Sequence, residues 1–277
     1  MTATLLHISD LHFGTVVDAA LQGVLQVVAQ QKPDLVIVTG DVTQRARRSE
    51  LRGFVELCRQ IAPRPLLVVP GNHDVSWWPP WHRLLAPLSA FEAHVPAEHR
   101  KPFAVVDDVL VVALPSVDPL RQVGGTTSAK GLQHLRTIIN ATPAALRVAF
   151  THHPIALAAG PLLHPTRPTN VVSNAAEAAA ALADAGVDLL LSGHIHVPFS
   201  TTTTLDFPGL LRPFVICGGG TATSSRTRRG QPRSLQLLHV GPGSIDIERY
   251  EMPEEAKAFA VVGASGFSRA ERGWQER

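Results

Sequence analysis

Six short apolar runs separated by helix-like stretches constrain this chain more than any other feature. The runs are Leu5-Leu6-His7-Ile8, Leu35-Val36-Ile37-Val38, Leu66-Leu67-Val68-Val69, Leu110-Val111-Val112-Ala113, Val148-Ala149-Phe150 and Leu189-Leu190-Leu191. They are brief and rich in Leu or β-branched residues, as strands buried on both faces are. Between them, residues 16–30, 49–61, 129–140 and 175–185 carry helical patterns. Ser49 is placed to cap the second of these and Gly186 to end the last. Strand alternating with helix implies parallel βαβ units. From Pro198 onward the helical pattern stops. Residues 201–205, 213–217, 234–240 and 244–249 read as successive strands with Gly/Pro turns, expected to complete a second sheet.

The 277 residues are expected to form one catalytic domain over 1–250, followed by a tail over 251–277. That tail is expected to be partly ordered, or packed at a surface or homodimer contact through Phe267 and Trp274. Hydrophobic residues at 45% and charged residues at 17% exclude a disordered chain. Two cysteines, Cys58 and Cys217, exclude a disulfide scaffold and a Cys-rich zinc module; both read as inert core residues. Lys+Arg 25 against Asp+Glu 23 gives +2. That bias is too weak to imply nucleic acid, and no nucleic-acid-binding module is visible, but it suits a small anionic substrate. No apolar stretch approaches the roughly 18 residues of a membrane span. Met1–Asp10 runs straight into a strand without a basic region or cleavage site, so a cytoplasmic chain is expected.

Five of the strand-like runs end in the same chemistry. They lead into Ser9-Asp10-Leu11-His12, Thr39-Gly40-Asp41, Pro70-Gly71-Asn72-His73-Asp74, Thr151-His152-His153-Pro154 and Ser192-Gly193-His194-Ile195-His196. Ligand sites in open α/β sheets lie outside the carboxyl ends of the strands, so these ends are expected to gather Asp, His and Asn into one crevice. Gly40, Gly71 and Gly193 each precede the polar residue and allow a tight exit from the strand. The set offers carboxylate, imidazole and amide donors without a thiolate, which suits Mn²⁺, Fe²⁺/³⁺ or Zn²⁺. There are more donors than one tetrahedral ion uses, so two divalent metal ions sharing a carboxylate are expected.

The order Asp10-x-His12, Gly40-Asp41, Gly71-Asn72-His73-Asp74, His152 and Gly193-His194-x-His196 resembles the calcineurin-like metallophosphoesterase superfamily. Within it the chain is most similar to bacterial proteins of the class III cyclic-nucleotide phosphodiesterase type, on His7-Ile8-Ser9-Asp10 and the Gly-Asn-His-Asp block. The resemblance implies an α/β fold, a four-layer α-β-β-α sandwich of two packed mixed sheets flanked by helices. It implies that Asp10, His12 and His196 hold one metal, Asn72, His152 and His194 the other, and that Asp41 bridges them. It further implies that a bridging water or hydroxide attacks a phosphodiester of a small anionic substrate, with cyclic nucleotides leading. His73 would contact the phosphate or protonate the leaving oxygen, and Asp74 would orient its imidazole. The only Tyr, Tyr250, lies outside every motif, which disfavours a tyrosinate-ferric site. Alternatives on the same site are a nuclease, a lipid-phosphoester hydrolase, a phosphomonoesterase, or a non-catalytic metal-binding scaffold.

Other residues carry less. His7 reads as a satisfied core histidine and His153 as a structural neighbour of His152. Trp77, Trp78 and Trp81 follow the Gly-Asn-His-Asp block. They would either pack the Val75–Lys101 insertion or a dimer contact, or wall the crevice and stack a nucleobase. Arg45, Arg47 and Arg48, and Arg226, Arg228, Arg229 and Arg233, are either solvated surface charge or attractors of an anion. Asn72, His73, Trp77 and Arg45 are thus the expected substrate contacts. Gly218-Gly219-Gly220 lacks the Lys of a phosphate-binding loop and reads as a tight turn.

Overall fold

A computed structural model describes residues 2–76, 80–121, 123–157, 170–228 and 230–277. Alternate side chains of each central strand enter different cores, and that alternation builds the layers. In β1 (Ala3–Ile8), Leu6 and Ile8 face helices α1 (Asp18–Gln31) and α2 (Arg48–Ile61), whereas Ala3 and Leu5 face the other way. There they meet Val111, Val148 and Leu189 of the opposing sheet. The far side of that sheet, with Leu110, Ala149 and Leu190, packs on helices α5 (Ala129–Ala141) and α6 (Ala175–Asp184). Three apolar cores separate four layers, so the fold is the α-β-β-α sandwich with two mixed sheets.

The first sheet includes β1, β2 (Leu35–Thr39) and β3 (Leu66–Val69) in parallel. The second orders β4 (Phe103–Val106), β5 (Val109–Ala113), β6 (Leu146–Phe150), β7 (Leu189–Ser192), β9 (Val215–Gly218) and β8 (Phe199–Thr202), with β5, β6, β7 and β9 parallel. The pairings Ile8↔Val38 and Thr39↔Val69 put the first three strands in register, so their carboxyl ends finish at one level.

Several sequence expectations are corrected here. The late strands do not all complete the second sheet. β10 (Arg233–Gly241) returns to pair antiparallel with β1, whose other edge is taken by β2, and β11 (Ser244–Met252) follows it. Helix α2 begins at Arg48, before Ser49, because the Glu50 carboxylate accepts from the backbone N–H of Arg45 at 2.8 Å and of Arg47 at 3.3 Å. The chain crosses residue 250 inside β11 and continues as β12 (Ala260–Ala270) and β13 (Gly273–Glu276), with Phe267 and Trp274 buried between the sheets. Gly263, Ser265, Gly266 and Ser268 dilute the apolar signal of β12. The insertion after β3 holds two short helices, α3 (Pro80–Leu85) and α4 (Ser89–His94). Gly218 is still in β9, and side chains at Gly218 and Gly220 would strike the Phe199 ring and the Ser234 hydroxyl, so the triple glycine serves a close approach more than a turn.

Candidate metal centre

The residues after β1, β2, β3, β6 and β7 do converge. Asp10, His12, Asp41 and His196 are all buried, and each presents a ligand atom within 4.8 Å of the others. His196 Nε2 lies 3.2 Å from Asp10 Oδ1 and 3.2 Å from His12 Nε2, and His12 Nε2 lies 3.8 Å from Asp41 Oδ2. His152, His153 and His194 form a second such group. Beside it, Asn72 Oδ1 stands 3.1 Å from His152 Nε2 and 3.1 Å from His194 Nδ1. Asp41 faces both groups: Oδ2 turns to His12, and Oδ1 lies 3.4 Å from His152 Nε2.

Backbone carbonyls fix which imidazole nitrogens face inward. His152 Nδ1–H donates to Thr39 O at 2.8 Å, and His196 Nδ1–H donates to Arg226 O at 2.7 Å. Where such a ring is neutral, the inward Nε2 is a lone pair aimed at carboxylate and amide oxygens that are also acceptors; a protonated His152 would donate to Asp41 Oδ1 instead. Such a set lacks the protons to satisfy itself. His12 Nδ1, His194 Nε2 and His153 Nε2 are buried without a partner. Acceptors facing acceptors, with no thiolate, fit hard or borderline divalent cations.

The carboxylates and imidazoles of the centre shift one another's protons. Burial alone would raise the Asp10 and Asp41 carboxyls. The imidazoles around them, His196 foremost for Asp10 and His152 foremost for Asp41, outweigh it and hold both below the usual range. Burial works against a charged His152, yet Asp41 and Asp10 leave its pKa raised. Burial pushes His12 and His194 down to about 3, so both are neutral and able to donate a lone pair. The backbone is strained where the donors stand. Of eight described non-glycine residues with positive φ, five are Asp10, His12, Asp41, His194 and His196. Each costs roughly 1–3 kcal/mol, tolerated because neighbouring strands fix the turns. A side chain at Gly71 or Gly193 would collide with Asp41 or with Ser9 and Asp10, so these glycines let the donor segments approach.

The calcineurin-like phosphoesterase family model matches residues 3–198, which carry all of these donors. The chain belongs to the calcineurin-like phosphoesterase family. A curated relative, the probable glycerophosphodiester phosphodiesterase GpdQ of Arcobacter nitrofigilis, is 29% identical over 125 residues; the match covers 44% of this chain and 42% of that protein. The fold is shared with purple acid phosphatase PPD1 from yellow lupin seeds at TM-score 0.70 and 11% identity, over 98% of this chain and 55% of that one. It is also shared with a dimetal phosphatase from Danio rerio at TM-score 0.60 and 13% identity, over 94% and 98%. The chain spans less than half the length of that curated relative. Among the described residues no helix is long and apolar enough to cross a membrane.

The remaining sequence-predicted residues sort clearly. His73 borders the crevice, with its ring 4.9 Å from that of His12, and its Nδ1–H donates to Gln44 O at 2.8 Å. Asp74 does not orient that imidazole. Its carboxylate accepts from Gly71 N at 2.8 Å, Thr43 N at 2.8 Å and Thr43 Oγ1 at 2.7 Å, clamping the β2 and β3 exits together. Burial, then the Asp41 charge, pushes Asp74 up to about 6. Arg45 lines the crevice. Trp77 and Trp78, Arg229 and most of the 160–174 loop lie outside the described residues, and Trp81 is 61% exposed on α3. His7 is held at both ring nitrogens, by Gln236 Oε1 at 2.7 Å and Thr39 Oγ1 at 2.9 Å. His153 Nδ1 sits 2.9 Å from Ser116 Oγ. Tyr250 reaches Glu248, away from the centre.

Sequence reasoning missed the supports. Ser9 Oγ donates to Asp10 Oδ2 at 2.5 Å, and Thr221 Oγ1 donates to Asp10 O at 2.7 Å. The Ser beside Asp10 was a visible signal. The carbonyls of Thr39, Gln44 and Arg226 were not, since any residue supplies one.

Proposed function

We propose that this chain hydrolyses a small anionic phosphodiester, a cyclic nucleotide or another diester of that size, using two divalent cations (Mn, Fe or Zn). The observation that carries the reading is Asp41, whose two oxygens face two separate donor groups. Asp10, His12 and His196 would hold one cation and Asn72, His152 and His194 the other, with Asp41 common to both. The pair, when bound, supplies charge neutralisation at the phosphoryl oxygens and an acidified water as nucleophile. The name of the GpdQ-type relative supports a diester substrate.

His73 has the second task. The Gln44 carbonyl keeps its Nδ1 protonated, so Nε2, at the crevice wall and 3.3 Å from the Arg226 guanidinium, is the nitrogen that would face the phosphate or the leaving oxygen. Asn72 would contact the phosphoester itself and Arg45 the substrate at the crevice rim. A metal-supplemented assay comparing bis(p-nitrophenyl) phosphate, p-nitrophenyl phosphate and cyclic nucleotides tests the reading. Faster, metal-dependent cleavage of the diester is expected; strong preference for the monoester sinks it. One observation favours a lipid phosphoester instead: Trp81, Leu84 and Leu85 of α3 are 61%, 64% and 82% exposed. Co-sedimentation with anionic liposomes would bring that reading forward.

A further inference from the structure

The crevice over the donor groups encloses about 640 Å³, room for a ligand of nucleotide size. Two stretches of sequence 180 residues apart supply its rim. Arg45 and Arg47 come from the segment after β2, and Arg226 and Arg228 from the segment before β10. Both segments are tied to the centre. The Glu50 carboxylate holds the amides of Arg45 and Arg47, and the Arg226 carbonyl is the acceptor that fixes His196. The Arg226 guanidinium donates to Gln44 Oε1 at 3.1 Å and lies 3.3 Å from His73 Nε2. Among the described residues, the one carboxylate lining this crevice is Asp41.

The charge count exceeds what a simple diester needs. Under the reading above, two divalent cations against the carboxylates of Asp10 and Asp41 leave +2. A diester brings −1, while the rim sets the guanidiniums of Arg45, Arg47, Arg226 and Arg228 around it, Arg226 bonded to Gln44 Oε1. Guanidinium forks match phosphate and carboxylate oxygens, and like charges focused in a cleft select for anions. A second anionic group on the diester complements this basic rim, where a neutral or cationic arm does not.

We infer that Arg45, Arg47, Arg226 and Arg228 form an anion subsite beside the metal centre, and that the substrate is a phosphodiester carrying a second anionic group, a terminal phosphate, on one arm. This inference rests on the diester reading. It is tested with the metal-loaded protein on two probes, thymidylyl-(3′→5′)-thymidine with and without a 5′-terminal phosphate. The phosphorylated dinucleotide is expected to have a kcat/KM higher by about tenfold or more, chiefly through KM, and the advantage is expected to shrink in 0.5 M salt. In Arg45→Gln/Arg228→Gln the ratio of the two kcat/KM values is expected to fall to within about twofold, with metal content and Tm as in the wild type. Equal kcat/KM for the two probes in the wild type, or an undiminished ratio in the double variant, overturns the subsite and leaves the diester reading standing. Cleavage of neither probe while a monoester is cleaved overturns both.

Discussion

Two regions of this molecule bury carboxylates, and they do it in opposite ways. Asp188, at the start of β7, is fully buried, and all its partners are donors. Oδ1 receives Arg212 at 2.8 Å, Trp274 Nε1 at 3.0 Å and Arg269 at 3.1 Å, and Oδ2 receives the Arg147 amide at 2.9 Å. The Arg269 guanidinium also lies 4.8 Å over the Trp274 ring. This hub ties β13 to the second sheet and is complete without any ligand. At the other end of the strands, Asp10 and Asp41 accept from Ser9 Oγ and from the amides of His194 and His73, but they also turn oxygens toward the imidazoles of His196 and His152, and three ring nitrogens nearby lack partners. A buried charge ringed by donors is satisfied by the fold itself, whereas buried imidazole nitrogens without partners beside carboxylates suit a cation.

The comparison breaks if removal of a carboxylate has the same consequence at both places. The largest effect is expected at the metal centre. Asp41→Ala should reduce metal-dependent hydrolysis to background and bind neither ion firmly, as read by metal analysis of the purified protein. Its Tm should also stop responding to added Mn²⁺, whereas the wild-type Tm rises by mass action. Next comes His73→Ala, which should lower kcat roughly 10²–10⁴-fold with metal stoichiometry intact; loss of metal in this variant would place His73 among the ligands. Asp188→Asn should do the reverse of Asp41→Ala. Denaturant unfolding should show a loss of roughly 2–3 kcal/mol, below the usual 3–5 for a broken buried pair because Arg212 and Arg269 are 35% and 30% exposed and partly hydrated. Its Tm increment on metal addition should equal that of the wild type.

The two regions also differ in how far they could be read from the chain alone. The donor ends were legible because each follows a buried strand and is punctuated by glycine, so a parallel sheet has to bring them to one edge. Asp188 was not, since a single Asp before a strand carries no pattern, and its partners Arg212, Arg269 and Trp274 are distant in sequence. The return of β10 beside β1 escaped for a related reason. Apolar alternation tells which face of a strand is buried and says nothing of which edge it joins. The family resemblance sets Asp74 against the His73 ring, yet consecutive side chains diverge. The acceptor for that ring is a main-chain carbonyl of Gln44, 29 residues earlier.

His7 sharpens the contrast as the control histidine. It lies one strand-length below Asp10, fully buried, with both ring nitrogens bonded, and burial pushes its pKa down to about 4 from 6.5. A depressed value means the unfolded chain takes up the proton first. The neutral ring's contribution is therefore whole above pH 6.5 and is lost as pH falls toward 4, amounting to about 2 kcal/mol by pH 5. His7→Gln removes that titration while keeping polar atoms beside Gln236 and Thr39. The unfolding free energy of this variant should fall less steeply than the wild type between pH 6.5 and 5, by about the same 2 kcal/mol. Parallel pH curves for the two proteins would show that His7 does not titrate on unfolding.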